Sequence, residues 1–341
     1  TLHIIFKTPG MDLVDMKLKL YSRENIMLDE RGTTSYYTLK FVSSETIANM
    51  QIKDSRSYTG KISDMVGAIW SKHFSESKPL SIEPTADEYT LILPFNNPFS
   101  HINHLAKKAK RQSNTNDCNF LFFEDFNGWN FISVASMFQQ DNRGYFSWET
   151  TGPDHKEIAD GRDTKISRYR ILELDLIGKE NFIDETVNGM HSSYMNQTDL
   201  LNKTNGGLKY NYAEASPNTT HANPFPLSPE IISSKVNTLS NYRNKYAGIF
   251  DNSVVLNRQA QMTALLNRRV RFKVSGSSST NVGDKIKIEF LRQVGVKVTG
   301  DPLNNYRSGF YVVTSVKHSI HKVNGYTMTV EACTDSLSES V

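Results

Sequence analysis

The sequence predicts an α+β, β-rich protein with two antiparallel, barrel-like β domains, an α+β connecting domain between them and a polar helical insertion. Three observations predict this class. Apolar and polar residues alternate with a period of two in the first fifty residues and again after residue 168. The period changes to that of an amphipathic helix after residue 62, and a run rich in Asn, Thr and Ser interrupts the second β region.

Length, charge and cysteine content exclude several classes of protein. A chain of 341 residues is long enough for two or three domains. Its 39 Lys and Arg against 36 Asp and Glu leave a net charge of +3, too small to mark the whole chain as a nucleic-acid binder. No apolar run approaches the roughly 20 residues of a membrane span, so no membrane insertion is expected. Cys118 and Cys333 are too few for a disulfide framework and are expected to be reduced.

Residues 1–52 are predicted to form the first β domain, a meander without a helix. Two of its strands carry an apolar face each, with Met16, Leu18 and Leu20 in one and Tyr37, Leu39 and Phe41 in the other. Lys17 and Lys19 take the opposite face of the first of these strands. The strands are therefore expected to be half-buried.

Residues 53–155 are predicted to form the α+β connecting domain. An apolar stripe with helical spacing contains Ile62, Met65, Val66, Ile69 and Trp70. A second helix is expected after Pro98, with Ser100 as its N-cap. An aromatic hairpin follows, and its Asn127-Gly128 sequence predicts a tight turn with two positive φ angles.

Residues 156–190 and 268–335 are predicted to form the second β domain, with strands at 168–177, 270–274, 285–291, 309–323 and 326–333. In the first of these strands, Leu172, Leu174 and Leu176 share a face. Residues 191–267 are the predicted loop-rich helical insertion, with one helix starting at Ser228 and another over 256–266. The polar tail after residue 334 is expected to fray.

One strand of the second β domain has a cationic face. Arg269, Arg271 and Lys273 alternate with Val270, Phe272 and Val274. A solvated strand face is one interpretation. The other, which we adopt as the prediction, is a contact with an acidic partner or a neighbouring subunit.

No motif in the sequence supplies a catalytic constellation. Gly-x-Ser-x-Gly, Walker and Gly-x-Gly-x-x-Gly motifs do not occur. His101 and His104 lie three apart on a predicted helix without further metal ligands, and Glu124 and Asp125 are adjacent at a hairpin tip. The sequence therefore predicts no enzyme, no catalytic residue, no metal and no cofactor. A tail-associated, glycoside hydrolase-like enzyme that degrades cell walls stays open as the alternative.

A series of short motifs occurs in a distinctive order. The strand at 36–42 precedes the helix of the Ile62 to Trp70 stripe, then come Pro98-Phe99, a helix with Ile102 and Leu105, and the Phe-rich segment 119–124. Phe126-Asn127-Gly128 follows, and the segments 283–288 and 309–313 stand near the end. In this order the chain resembles the central baseplate hub protein of contractile-tailed bacteriophages, which is related to the N-terminal hub region of type VI secretion spike proteins.

The resemblance implies two similar tube-forming β domains in each subunit of a homotrimer. Six such domains would form a ring between the sixfold tail tube protein above and the threefold central spike protein below, in the tail baseplate of a virion assembled in the host cytoplasm. Neighbouring baseplate proteins would be further partners, and DNA would pass only as cargo. The family's first tube domain has strands upstream of the one that residues 2–6 would form, and this sequence lacks them. The Arg269, Arg271 and Lys273 face is expected at a protein interface and outside the channel.

Overall fold

The computed structural model describes residues 1–11, 13–28, 35–74, 78–148, 170–178, 181–199, 202–227, 241–246, 253–290, 304, 306–323 and 325–339. Its strands are β1 Leu2–Lys7, β2 Leu13–Leu28, β3 Ser35–Val42, β4 Asp54–Lys61, β5 Leu80–Ile82, β6 Glu88–Asn96, β7 Phe120–Glu124, β8 Trp129–Ser133, β9 Gly144–Trp148, β10 Glu173–Leu176, β11 Ser192–Asp199, β12 Thr204–Asn211, β13 Phe225–Pro226, β14 Asn241–Tyr246, β15 Arg268–Ser275, β16 Lys285–Phe290, β17 Gly309–His321, β18 Gly325–Thr334 and β19 Ser336–Leu337. Its helices are α1 Ser44–Gln51, α2 Ile62–His73, α3 Pro98–Ala106, α4 Val134–Gln139, α5 Phe182–Val187, α6 Tyr212–Ala215 and α7 Ser253–Asn267, with a 3-10 turn at Ser216–Asn218. The protein is α+β and strand-rich, which confirms the predicted class at that level.

The first strands form a three-stranded antiparallel meander in the order β1-β2-β3. The prediction that residues 1–52 contain no helix is wrong, because α1 follows β3 directly. Glu45 in the first turn of α1 is buried, and its side chain accepts a hydrogen bond of 3.1 Å from the Lys78 backbone amide. This tertiary contact stabilises a helix too short for periodicity to reveal.

The predicted helix with the Trp70 stripe is α2, and its five apolar stripe residues are all buried in one core. The next helix, α3, begins at Pro98, and its N-cap lies three residues before the predicted cap at Ser100. Asn97 is the observed N-cap residue and Pro98 stands at the first turn. Proline suits this position because its fixed φ matches the helix and its missing amide leaves no donor unsatisfied.

The predicted aromatic hairpin is β7–β8, but its turn differs from the prediction. Asn127 does not adopt a positive φ. The Asp125 carboxylate accepts hydrogen bonds of 2.8 Å from the backbone amides of Asn127 and Gly128. A side chain therefore closes this loop in place of the tight turn that Asn-Gly favours.

A six-stranded sheet in the order β10-β15-β18-β17-β16-β9 forms the second β region. The sheet curls, since the Phe146 ring on β9 lies 5.1 Å from the Phe272 ring on β15. Its two edges meet at a parallel bridge between Ser147 and Arg170. Strand β9, which lies in the segment predicted as the connecting domain, belongs to this sheet. The division into two similar barrel-like domains and a connecting domain stays a prediction.

The apolar face predicted for the strand at 168–177 is present only in part. Leu174 packs against the core of the curled sheet, but Leu172 and Leu176 are exposed, and Ile171 from the opposite predicted face is buried in that core. Strand β10 pairs only with β15 in that sheet, so it is an edge strand. One face of an edge strand packs fully only if another layer covers it.

The predicted loop-rich insertion is largely a small sheet. Strands β11 and β12 form a hairpin, and β14 pairs in parallel with β11. The predicted helix over 256–266 is present as α7, whereas the helix predicted from Ser228 lies outside the described residues. The tail does not fray at its start, because β19 pairs with β13 and both Ser336 and Leu337 are buried.

Candidate assembly surface

The three-stranded sheet has one apolar face. Residues that pair across strands share a face, and Leu2 pairs with Leu18, Phe6 with Val14, and Leu20 with Phe41. The members of this apolar face are Leu2, Ile4, Phe6, Val14, Met16, Leu18, Leu20, Tyr37, Leu39 and Phe41. The two predicted apolar strand faces therefore lie on the same side of one sheet.

One end of the apolar face is covered by distant parts of the chain. The Phe6 ring lies 5.8 Å from the His318 ring and 5.7 Å from the Tyr326 ring, both on the β17–β18 hairpin. Phe126 in the β7–β8 loop lies 6.3 Å from Phe6 in an edge-to-face arrangement. These ring contacts hold the end of the first sheet at which β1 stops, next to residue 8.

The other end of the apolar face is uncovered. Leu20 is 47% exposed, Tyr37 51% and Leu39 39%. The Arg23 guanidinium lies 4.5 Å from the centre of the Tyr37 ring, a cation–π contact on the same face. Strands β1 and β3 each pair only with β2 among the described strands, so the sheet also presents two open edges. An uncovered apolar face with open edges is typical of a surface that a further subunit completes.

The cationic strand residues lie where their alternation predicts, on the solvent side of β15. Val270, Phe272 and Val274 are buried in the curled sheet. The carboxylates nearest to the other face come from the adjoining strands. Arg271 Nη2 lies 2.7 Å from Glu331 Oε1, and Lys273 Nζ lies 2.7 Å from Glu173 Oε1.

Arg269, the third cation, pairs across the sheet with Cys333 and not with a carboxylate. The charges of Arg271 and Lys273 are thus balanced within the sheet. An acidic partner for this face remains a prediction.

Both ring nitrogens of the partly buried His221 lie within hydrogen-bonding distance of oxygen atoms. Its Nδ1 lies 2.8 Å from Asp335 Oδ2, and its Nε2 lies 2.9 Å from both the Ser216 carbonyl and Thr219 Oγ1. Burial opposes the charged imidazole, but the hydrogen bond to Asp335 and the charge of that carboxylate outweigh it and raise the pKa of His221.

Thr219, His221 and Asp335 place a hydroxyl, an imidazole and a carboxylate in a row, as a catalytic triad does. The direction of their hydrogen bonds is different. The Thr219 hydroxyl donates its own hydrogen bond of 2.9 Å to the Ser216 carbonyl, so it does not present a proton to the imidazole. A histidine that donates from both nitrogens is protonated and has no lone pair for general-base catalysis. The group therefore fastens the chain at residue 335 to the segment at 216–222.

The carboxylates considered for glycoside hydrolysis are engaged in structure. Glu124 Oε1 lies 2.7 Å from Lys78 Nζ, and Asp125 closes the β7–β8 loop. His101 is buried, with its Nε2 2.8 Å from the Pro94 carbonyl. In the part of the chain that the structure describes, no three His, Cys, Asp or Glu side chains form a group able to hold a metal ion. Within the same residues no helix is long and apolar enough to cross a membrane.

Comparison with solved structures finds proteins of the same fold. The tail protein from Neisseria meningitidis MC58 aligns with a TM-score of 0.52 at 11% identity, over 93% of this chain and 79% of that one. The chain has the fold of a tail protein. The 43 kDa tail protein of prophage MuSo2 from Shewanella oneidensis aligns with a TM-score of 0.51 at 8% identity, over 95% of this chain and 80% of that one. No family model matches the sequence, and no curated protein matches it.

The residues that cover the apolar face were not predicted from the sequence. Phe126, His318 and Tyr326 come from two hairpins far from β1 in the chain. Only the aromatic character of the β7–β8 loop gave a local signal. Periodicity assigns residues to faces, but it carries no information about which distant segment packs on a face.

Proposed function

We propose that this chain is a structural subunit of a phage tail. At finer detail, we propose that it is a baseplate hub subunit of a contractile tail, which forms a homotrimeric ring between the tail tube protein and the central spike. The observation that carries the proposal is the first sheet, with its uncovered apolar residues Leu20, Tyr37 and Leu39 and its open edges. The fold shared with tail proteins of Neisseria and of a Shewanella prophage supports it.

The physical reason for assembly is the same at both levels of detail. An open strand edge exposes backbone amides and carbonyls, and an adjoining subunit can pair with them. Burying the exposed apolar side chains against that subunit removes them from water, at roughly 25 cal/mol for each Å² of apolar surface. A closed ring satisfies every such edge because each subunit offers both partners of the contact.

The mass of the protein in solution tests the proposal. We expect a trimer of roughly three times the 38.7 kDa chain, alone or with its tail partners. Leu20→Lys together with Leu39→Lys should abolish that species, because two charges on the apolar face cannot be buried without partners. The matched control is Ile92→Lys with Val323→Lys, which changes two other exposed apolar residues.

Three results separate the alternatives. A wild-type protein that stays monomeric alone and with its tail partners would contradict the hub assignment. Equal loss of the trimer in the control would place the contact elsewhere. Turnover of peptidoglycan by the pure protein, abolished by substitution of one carboxylate, would favour the cell-wall-degrading alternative.

A further inference from the structure

The second face of the three-stranded sheet is rich in lysine. It consists of the residues that alternate with the apolar face, and the cross-strand pairs His3–Lys17, Lys7–Leu13 and Lys19–Val42 define it. We name this the lysine face, and its charged members are His3, Lys7, Asp15, Lys17, Lys19, Glu24 and Lys40. The side chains of Lys7, Lys17 and Lys19 are all exposed.

The carboxylates of the lysine face are already paired. Asp15 Oδ1 lies 2.6 Å from His3 Nε2, and Glu24 Oε2 lies 2.6 Å from Lys40 Nζ. Among the residues that the structure describes, no carboxylate lies within ion-pairing distance of Lys7, Lys17 or Lys19. Three like charges on one exposed face therefore have no counter-charge from the described part of the chain. The cations at Arg271 and Lys273 differ, because their sheet supplies Glu331 and Glu173.

The type of cation bears on how a partner would be held. A lysine ammonium is a compact, flexible point charge that can follow a phosphate backbone without fixed geometry, whereas the planar arginine guanidinium makes bidentate contacts of fixed geometry with carboxylates and phosphates alike. The three unpaired cations of this face are all lysines. The arginine of the same sheet, Arg23, lies on the opposite face against the Tyr37 ring.

We propose that the lysine face binds the phosphate backbone of double-stranded DNA without reading its sequence. Lys17 and Lys19 are two residues apart on β2, which places them about 7 Å from each other along the strand. Lys7 lies on β1 opposite Leu13, beyond the Ile5–Asp15 pair, so this face presents three ammonium groups in all.

Three phosphate contacts per chain make this binding weak at physiological salt. The logarithm of the association constant falls with the logarithm of salt concentration with a slope of about −0.9 for each neutralised phosphate. Three contacts therefore give a contribution of about −2.7 to the slope. Such an interaction holds a duplex briefly and releases it. The inference does not require the ring, since it concerns one face of one chain.

Fluorescence anisotropy with a labelled 20-base-pair duplex tests the inference, in a titration repeated between 20 and 200 mM NaCl. The variant Lys7→Gln, Lys17→Gln and Lys19→Gln should bind at least ten-fold more weakly at 20 mM NaCl. Its salt slope should be less steep by about 2.7, and each single substitution should account for about 0.9 of that difference. The control Lys203→Gln, Lys209→Gln and Lys322→Gln removes three exposed lysines elsewhere and makes the same change in net charge.

Several outcomes would overturn the inference. One is DNA binding that the lysine-face variant retains, or that the control variant loses equally. A preference above ten-fold between two unrelated duplex sequences would contradict backbone recognition. Binding of labelled polyglutamate without binding of the duplex would show that the face takes an acidic protein. The single variants keep the test decisive if the triple variant does not fold, as judged by circular dichroism.

Discussion

Thr8 and Ser278 exchange two hydrogen bonds across 270 positions of the chain. The Thr8 amide donates to Ser278 Oγ over 3.1 Å, and the Ser278 amide donates to Thr8 Oγ1 over 3.0 Å. Both residues are buried. This reciprocal pair fastens the first sheet to the loop between β15 and β16, next to the ring contacts of Phe6. It holds the candidate assembly surface in a fixed position on the six-stranded sheet.

We expect Thr8→Ala and Ser278→Ala each to lower the free energy of unfolding by about 1 to 3 kcal/mol, since each leaves a buried amide without its acceptor. Each substitution removes one of the two bonds, so the double variant should lose more stability than either single variant, and a loss smaller than the sum would show that the two bonds support each other. Urea unfolding followed by circular dichroism measures the cycle. The exposed Thr59–Thr90 hydroxyl pair, at 3.2 Å, is the control and should show almost no coupling. Single variants at Thr8 and Ser278 that lose no stability would contradict the expected contribution of this pair.

The contact of His221 with Asp335 makes stability depend on pH. The folded-state pKa of His221 is raised above its unfolded value near 6.5, so its contribution is complete below that pH and is lost as pH rises through the raised pKa. The difference in melting temperature between wild type and His221→Gln should therefore be largest near pH 6 and should shrink toward pH 9. The same difference measured in an Asp335→Asn background should vary less with pH. A difference that grows with pH would refute this assignment.

Arg258 on α7 holds three backbone carbonyls of a different segment. Its Nη1 lies 3.4 Å from the Ala106 carbonyl, 3.3 Å from that of Cys118 and 3.0 Å from that of Phe120. Burial lowers the pKa of this guanidinium, because the charged form loses contact with water. Its hydrogen bonds to the carbonyls join α7 to the packed segments that contain them. We expect Arg258→Met to lower the free energy of unfolding by about 2 to 3 kcal/mol, because buried carbonyls lose their donor. Arg56→Met, at an exposed site on β4, is the control and should be nearly neutral in the same urea titration.

Exchanging the charges of Lys273 and Glu173 tests whether Lys273 pairs within the six-stranded sheet. Lys273→Glu should destabilise the protein by about 0.2 to 1 kcal/mol, since it places two carboxylates on adjacent strands, and Glu173→Lys in the same chain should restore the loss. The midpoint of urea unfolding measures both changes. Failure of the second substitution to restore stability would contradict the in-sheet pairing.

The interface prediction for the same strand requires a different variant. Arg269→Glu with Arg271→Glu should weaken assembly or make it strongly dependent on salt if an acidic surface docks there. The charge exchange of Lys273 and Glu173 conserves net charge and is the control. Equal assembly of both variants and wild type would show that this face is solvated.

Local patterns predicted those elements that local interactions decide. The helix with Ile62 and Trp70 forms because its apolar spacing matches the helical repeat, and β15 forms because Val270 and Phe272 alternate with charged residues. Helix α1 escaped prediction because Glu45 is held by the amide of Lys78, 33 positions away. The β7–β8 turn escaped it because the Asp125 side chain competes with the backbone preference of Asn-Gly.

The candidate assembly surface divides in the same way. Alternation alone determined that Leu20 and Leu39 lie on an apolar face and that Lys17 and Lys19 lie on the opposite one, because a strand turns successive side chains to opposite sides. Only the tertiary structure decided that Phe6 is covered by the His318 and Tyr326 rings while Leu20 and Leu39 are not. The physical reason is the separation along the chain of the residues involved. The side to which a residue points depends on its own backbone, whereas the side chains that pack on Phe6 belong to a segment some 300 positions away.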